Sequence, residues 1–370
     1  LDFGESKVFL KRKQAHLTAL IISRGIILFY KRQAVCKLSD MKKETRKRGL
    51  QLASGILISG IALYYSIKGL DWLAVRRGFA TVNLWWYLVA TLLMILTVWV
   101  RAYRWTFFLK DHRHLSLYTL HKGVMIGYFG NNVLPFRLGE LLRAYSTSTL
   151  TGISTPHLFS TIVLERIVDV FSFFFFLLGI SLLSPLPEWA GNTRLLLALA
   201  LLMILVFFAI YYRYHQRLTQ FMDTKKGRLW HIIRHLHSGL CVVFDMKYRL
   251  YVLLLSLVLW AIYGAVFWTG FRMFGMELGI LPAAVLLTTS SFAVSVPSVP
   301  GYVGTYHVAI VQALMMYGIE KSFAFTYAVV LHLVGFIALT LLGFIFYLQT
   351  HLSVTSVTKE SETIKKLSNT

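Results

Sequence analysis

The chemistry open to this sequence is carried by charged residues set in apolar surroundings. Arg137, Glu140 and Arg143 recur every three residues, so on a helix they drift over roughly a third of its circumference. Glu165 and Asp169 stand four apart on one helix face, with Arg166 beside them. Charges inside a membrane are costly and are seldom retained without a partner or a task. For Glu165, Arg166 and Asp169 two readings are open, a structural ion-pair network that ties helices together or a polar site. Arg137 stands at a break in the apolar pattern, and there the functional reading is the better one, because a guanidinium grips phosphate through a planar fork of donors.

The breaks interrupt two apolar stretches, 118–150 and 282–319, near their middles. The first is Asn131-Asn132-Val133-Leu134-Pro135-Phe136-Arg137-Leu138-Gly139-Glu140 and the second Pro297-Ser298-Val299-Pro300-Gly301-Tyr302-Val303-Gly304-Thr305. Unpaired backbone groups at membrane depth are tolerated only against protein or a wet cavity, so two breaks imply a cavity. A kink that merely improves packing is the competing account. Pro135 and Pro300 suit the first turn of a new half-helix, whose exposed N–H groups attract anions. The candidate substrate-binding set is therefore Asn131, Asn132, Pro135, Arg137, Gly139, Glu140 and Arg143 at the first break. Glu165, Arg166 and Asp169 join it from the following span, and Pro300, Gly301, Tyr302, Gly304, Thr305 and His307 from the second break. In this scheme both half-helix starts face one cavity, Arg137 offsets a head-group phosphate, and Glu140 competes for the arginine when the lipid leaves.

The elements that position these residues are apolar helices. Hydrophobic residues make up 56% of the chain and charged ones 15%, with a mean hydropathy of +0.63, outside the range of soluble domains. Runs long enough to cross a bilayer, about 20 apolar residues, occur at 50–67, 84–109, 158–183, 193–213, 248–271 and 322–349. Several are edged by Trp or Tyr, as interfacial belts require. The segment 31–49 carries eight Lys and Arg and 214–249 seven, whereas 184–192 carries none, which puts the first two in the cytoplasm and the last outside. Both ends of the membrane unit then lie inside, in a cytoplasmic (inner) membrane. The excess of 38 basic over 16 acidic residues is read as attraction to an anionic membrane surface, not to nucleic acid.

The fold expected is an all-α polytopic membrane protein of six spans plus two re-entrant broken hairpins. Two spans, a hairpin and a span occur twice, and an odd number of spans per half inverts the second half relative to the first, the inverted-repeat plan of many transporters. The halves run over about 50–183 and 193–349. Residues 350–370 form a cytoplasmic tail. Residues 1–40 read as a dispensable extension ahead of Met41, because 17–30 holds only 14 residues and is interrupted by Arg24.

Other candidates carry less. Arg101 and Arg104 lie near the inner end of the second span, where snorkelling to head groups accounts for them. His231, His235 and His237 lack the carboxylate of a HExxH pattern, and their apolar neighbours form the stripe of an interfacial helix. Cys36 and Cys241 fall in basic, cytoplasmic stretches, so no disulfide is expected. There is no nucleotide-binding glycine loop, and no metal, cofactor or catalytic residue is expected.

From Met41 to Gln349 the chain resembles the flippase-like family of lysylphosphatidylglycerol synthase transmembrane regions, the membrane part of the multiple peptide resistance factor. The resemblance rests on the run from Asn132 to Glu140, on Glu165-Arg166-Ile167-Val168-Asp169, and on Pro300 to Thr305. It implies lipid translocation between leaflets. Full-length relatives continue into a cytosolic aminoacyl-transferase domain, which the 21 residues after Gln349 here do not hold, so lipid lysinylation is not expected. Many relatives carry Glu just after the second break, where this chain has Tyr306-His307. Three functions stay open: a flippase for a phospholipid or polyprenyl-linked lipid, an intramembrane transferase using His307 or His332, and a non-catalytic membrane partner of a lipid-modifying or glycosyl transferase. A homo-oligomer is compatible with each.

Overall fold

The computed structural model describes residues 53–109, 115–134, 138–183, 192–224, 230, 248–296 and 298–350. The expectations for residues 1–40, for Pro135 and Arg137, for the loop 184–191, for the histidines at 231–237 and for the tail 351–370 lie outside the described residues. Ala53 to Ile56 belong to a first unit, Leu1–Ile56, and the unit that carries the hairpins begins at Leu57.

The described residues form helices: α1 (Ala53–Ile67), α2 (Trp72–Ala80), α3 (Leu84–Phe108), α4 (Leu117–Val133), α5 (Gly139–Thr151), α6 (Thr155–Leu183), α7 (Thr193–Asp223), α8 (Arg249–Met273), α9 (Ile280–Ser295), α10 (Thr305–Met315) and α11 (Lys321–Gln349). Five of these, α3, α6, α7, α8 and α11, are long and apolar enough to cross a membrane. At a rise of 1.5 Å per residue, the 25 residues of α3 reach about 37 Å, past a hydrocarbon core of about 30 Å. The expected first span appears as α1, which turns by 88° into α2. Helix α2 falls in a stretch where the sequence gives no span. It is started by Asp71, whose carboxylate accepts the Leu73 N–H at 2.8 Å. Helix α7 runs ten residues past the expected end of its span at Arg213.

The two interrupted stretches are helix pairs, as expected. Helices α4 and α5 hold 17 and 13 residues and α9 and α10 hold 16 and 11, so none of the four spans alone. In the first pair the backbones cross where side chains vanish. A Cβ on Gly130 would stand 2.8 Å from the Gly139 Cα, and one on Gly139 would strike the Gly127 carbonyl. Asn131 staples the crossing by accepting the Gly139 N–H at 3.0 Å.

Packing partners exchange when the halves are swapped, with α4, α5 and α6 standing for α9, α10 and α11. Helices α3 and α8, which correspond to each other in this exchange, pack together. The pair α3–α4 answers to α8–α9, α5–α6 to α10–α11, α6–α8 to α11–α3, and α4–α11 to α9–α6. These exchanges are those of a two-fold repeat, a pattern that an inverted repeat requires. Two apolar cores form, one around Trp105, Leu120, Met125 and Leu158 and one around Phe271, Ile310, Leu314 and Tyr327, and each takes in residues of both halves, such as Leu339 in the first and Phe173 in the second. Outward faces stay apolar: Leu195, Leu202, Met203 and Phe207 of α7 are exposed, as a lipid-facing helix requires.

The second break differs from its expectation. Pro300 opens only a three-residue 3-10 turn, Pro300–Tyr302, and the half-helix starts at Thr305. Gly301 at φ +72° and Gly304 at φ +91° hold left-handed backbone, which costs a residue with a Cβ. Tyr302 between them also has a positive φ, 60°, a strain of about 1–3 kcal/mol of the kind that collects at functional sites. The Val299 N–H is satisfied by Ser59 Oγ of α1 at 3.0 Å.

Candidate functional site

Helix α6 brings Glu165 and Asp169 to one face, and α5, starting immediately after the first break, points Arg143 at them. Glu165 is wholly buried and receives Arg143 Nη2 at 2.9 Å, Arg101 Nη1 at 2.6 Å and Arg104 Nη2 at 3.2 Å. Arg104, also wholly buried, pairs with Asp169 and donates to Ser256 Oγ of α8. Arg166 reaches Glu140 on α5 at 3.1 Å and Asp169 at 3.4 Å. The Arg143 guanidinium lies 3.9 Å above the Trp105 ring. One cluster of charges thus binds α3, α5 and α6 together.

This overturns the expectation for Arg101 and Arg104. They do not snorkel: their exposures are 6% and 0%, and they face carboxylates, not head groups. The physical reason is that two buried acids draw cations within ion-pair reach, and the α3 arginines stand against both of them, beside Arg143 and Arg166. The signal was present in the sequence, since an acidic pair four apart on α6 is matched by a basic pair three apart on α3. Four arginines meet three carboxylates, Glu140, Glu165 and Asp169, so among the described residues the cluster carries one positive charge in excess.

Beside the cluster lies a cavity of about 310 Å³. The first half lines it with Tyr128, Asn131, Asn132, Glu140, Arg143 and Arg166, and the second half with Ser290, Ser291, Tyr302, Tyr306 and His332. Arg101 contributes from α3 and donates to Tyr263 at 3.3 Å, whose hydroxyl lies 2.9 Å from that of Tyr128. The Nε groups of Arg101 and Arg143 are buried and make no hydrogen bond among the described residues. Such a site can hold an anionic group: it offers guanidinium groups and hydroxyls in a mostly apolar recess. Among the described residues no three His, Cys, Asp or Glu side chains converge on a metal position.

Of the residues singled out from sequence, Asn131, Asn132, Glu140, Arg143, Arg166 and Tyr302 come together on this cavity. Glu165 and Asp169 stand behind it in the ion-pair cluster. Part of each asparagine is committed elsewhere, for Asn131 accepts from Gly139 and Asn132 donates to Thr340 of α11 at 2.8 Å. The other candidates have packing duties. Gly301 lies under the Phe336 ring, Gly304 faces the Ser59 carbonyl of α1, and buried His307 accepts the Gly304 N–H at 3.4 Å. Thr305 is buried and Pro300 exposed, and neither lines the cavity. Tyr128, Tyr263, Ser290 and Ser291 were missed, because hydroxyls within apolar helices carry no periodic signal.

The fold and site define a polytopic helical membrane protein in which two inverted halves enclose a charged cavity. Comparison with known families agrees. The chain belongs to the lysylphosphatidylglycerol synthase TM region family, whose family model matches residues 52–343. It is similar to a UPF0104 membrane protein of Pyrococcus horikoshii, with 26% identity over 325 residues that cover 80% of this chain and 96% of that one. A UPF0104 membrane protein of Methanocaldococcus jannaschii is 32% identical over 139 residues, 37% of this chain and 40% of the relative. One of Methanothermobacter thermautotrophicus is 23% identical over 284 residues, 70% and 83% of the two chains. No solved structure matches.

Proposed function

We propose that this protein is a transporter that moves a lipid with a phosphate-bearing head group between the leaflets of the membrane. The observation that carries the reading is the cavity between the two broken hairpins, walled by both inverted halves and bordered by a cluster with one positive charge in excess. A phosphate entering it finds Arg166 the most available cation, since that side chain is 44% exposed while those of Arg104 and Arg143 are 0% and 2%. Glu140 holds Arg166 when the site is empty and takes it back on release, so the site binds without becoming a trap. Rocking of one half against the other changes the open side.

The test is lipid flipping in proteoliposomes with a panel of fluorescent phospholipids and polyprenyl-linked lipids. Arg166→Ala should slow flipping at unchanged folded yield, and Arg166→Lys should restore only part, because the planar fork is lost. Wild-type protein that flips none of the panel sinks the reading. A second reading, an intramembrane transferase, has one observation in its favour: His332 lines the cavity with its ring 5.0 Å from that of His307. Analysis of extracted lipids for a new product decides between the two. The sidedness goes with the proposal, 184–192 outside and 214–247 inside, and labelling of single cysteines at Glu188 and Lys226 from each side tests it.

A further inference from the structure

A second concavity lies in the crease between α6 and α7. Its lining is apolar throughout, including Val170, Phe171 and Phe174 of α6 and Met203, Ile204 and Phe207 of α7, and it holds about 510 Å³. Its position matters because of Arg166. This residue lines the charged cavity and is also 44% exposed, so it marks the mouth. Val170 follows Arg166 by four residues, which on a helix is one turn along and about 40° around. Cavity and crease therefore adjoin at a shared edge of α6.

The size of the cavity makes that edge significant. A space of about 310 Å³ stands at the low end of pockets that enclose small ligands, roughly 300–1,000 Å³. It suits a head group and leaves no room for fatty chains beside it. A lipid whose head reaches the arginines must lead its chains out through the mouth, and the first apolar surface past Arg166 on α6 is the crease. We infer that the α6–α7 crease is the binding site for a hydrocarbon chain of the transported lipid, entered while its phosphate is held at Arg166. This rests on the proposed function for the identity of the head-group site. Phe171, Phe174 and Phe207 supply broad faces that order a chain by contact, which fluid bilayer does not.

The experiment uses the full chain in phosphatidylethanolamine vesicles doped with a phosphatidylglycerol that carries a diazirine midway along one fatty chain. After illumination, labelled peptides are mapped and flipping is measured on the same vesicles. Labelling should concentrate on 167–174 and 200–208 relative to the outward face of α7. It should fall about tenfold in Arg166→Ala, the loss of one charge-assisted contact. Val170→Trp, a change at a lipid-exposed position, should abolish crease labelling and leave the melting temperature unchanged. Labelling spread evenly over α7 and indifferent to both substitutions would mean annular lipid only and would overturn the inference. The two readings fail separately: even labelling with wild-type flipping removes the crease, whereas Arg166-dependent crease labelling without flipping removes the transporter and leaves a lipid-binding site.

Discussion

Glu165→Gln is the sharpest probe of the charge cluster. The carboxylate has no solvent exposure and stands within 3.5 Å of guanidinium nitrogens from Arg101, Arg104, Arg143 and Arg166. The substitution keeps the shape and removes one negative charge, which raises the excess in the buried cluster from one positive charge to two. Removing one partner of a buried pair costs about 3–5 kcal/mol, because the other charge stays dry and uncompensated. At about 1.4 kcal/mol per tenfold, the folding equilibrium falls some hundred- to several-thousand-fold, a large part of a total stability of about 5–15 kcal/mol. Denaturation by sodium dodecyl sulfate in mixed micelles would measure it, with the loss read from the shift of the midpoint. Adding Arg143→Met to Glu165→Gln should recover part of the loss, since it removes the cation left over, and the double-mutant cycle isolates that coupling. If Glu165→Gln unfolds at the wild-type midpoint and the cycle shows no coupling, the cluster does not hold α3, α5 and α6 together.

Gly139→Val should force α4 and α5 apart, since its side chain meets the Gly127 carbonyl and Asn131. Overpacking of this kind costs about 1–3 kcal/mol, and the same denaturation assay would show it. Gly301→Ala places a methyl 2.8 Å from the Phe336 ring at a residue with φ +72°. It should cost about 1–2 kcal/mol and, by pushing Phe336 toward the cavity it lines, slow flipping more than the lost stability explains.

Spans and hairpins were legible because each leaves a one-dimensional trace. About 20 apolar residues without charge are a span, and a proline with a glycine inside such a run is a break. The repeat was legible because the traces recur in the same order. The fate of Arg101 and Arg104 was not, since a cation near the end of a span can reach water along its own stem or an acid on another helix, and only the distance to Glu165 and Asp169 decides. Helix α2 was hidden by its brevity, with Arg76 and Arg77 among nine residues. At the second break the proline was visible, but the three left-handed residues that delay the half-helix to Thr305 are a property of backbone angles. The acids and arginines of α5 and α6 were found, and the partners of Glu165 and Asp169 on α3 were not, because pairing is a relation between distant segments.

The ion pairs are distributed unequally between the inverted halves, and this bears on which part moves. Helix α5 is fastened to α6 by ion pairs in a poorly polarisable interior, where pulling them apart is expensive, and to α3 by the Arg143 guanidinium over the Trp105 ring. The corresponding helix of the second half, α10, meets its neighbours through Ile310, Val311 and Leu314, contacts that lipid tails replace at little loss. The two halves are thus fastened differently, and amide hydrogen exchange should be slower across α5 than across α10. If the halves rock as proposed, the uncharged side is the one expected to move, and the charged wall of the cavity to keep its place in the membrane.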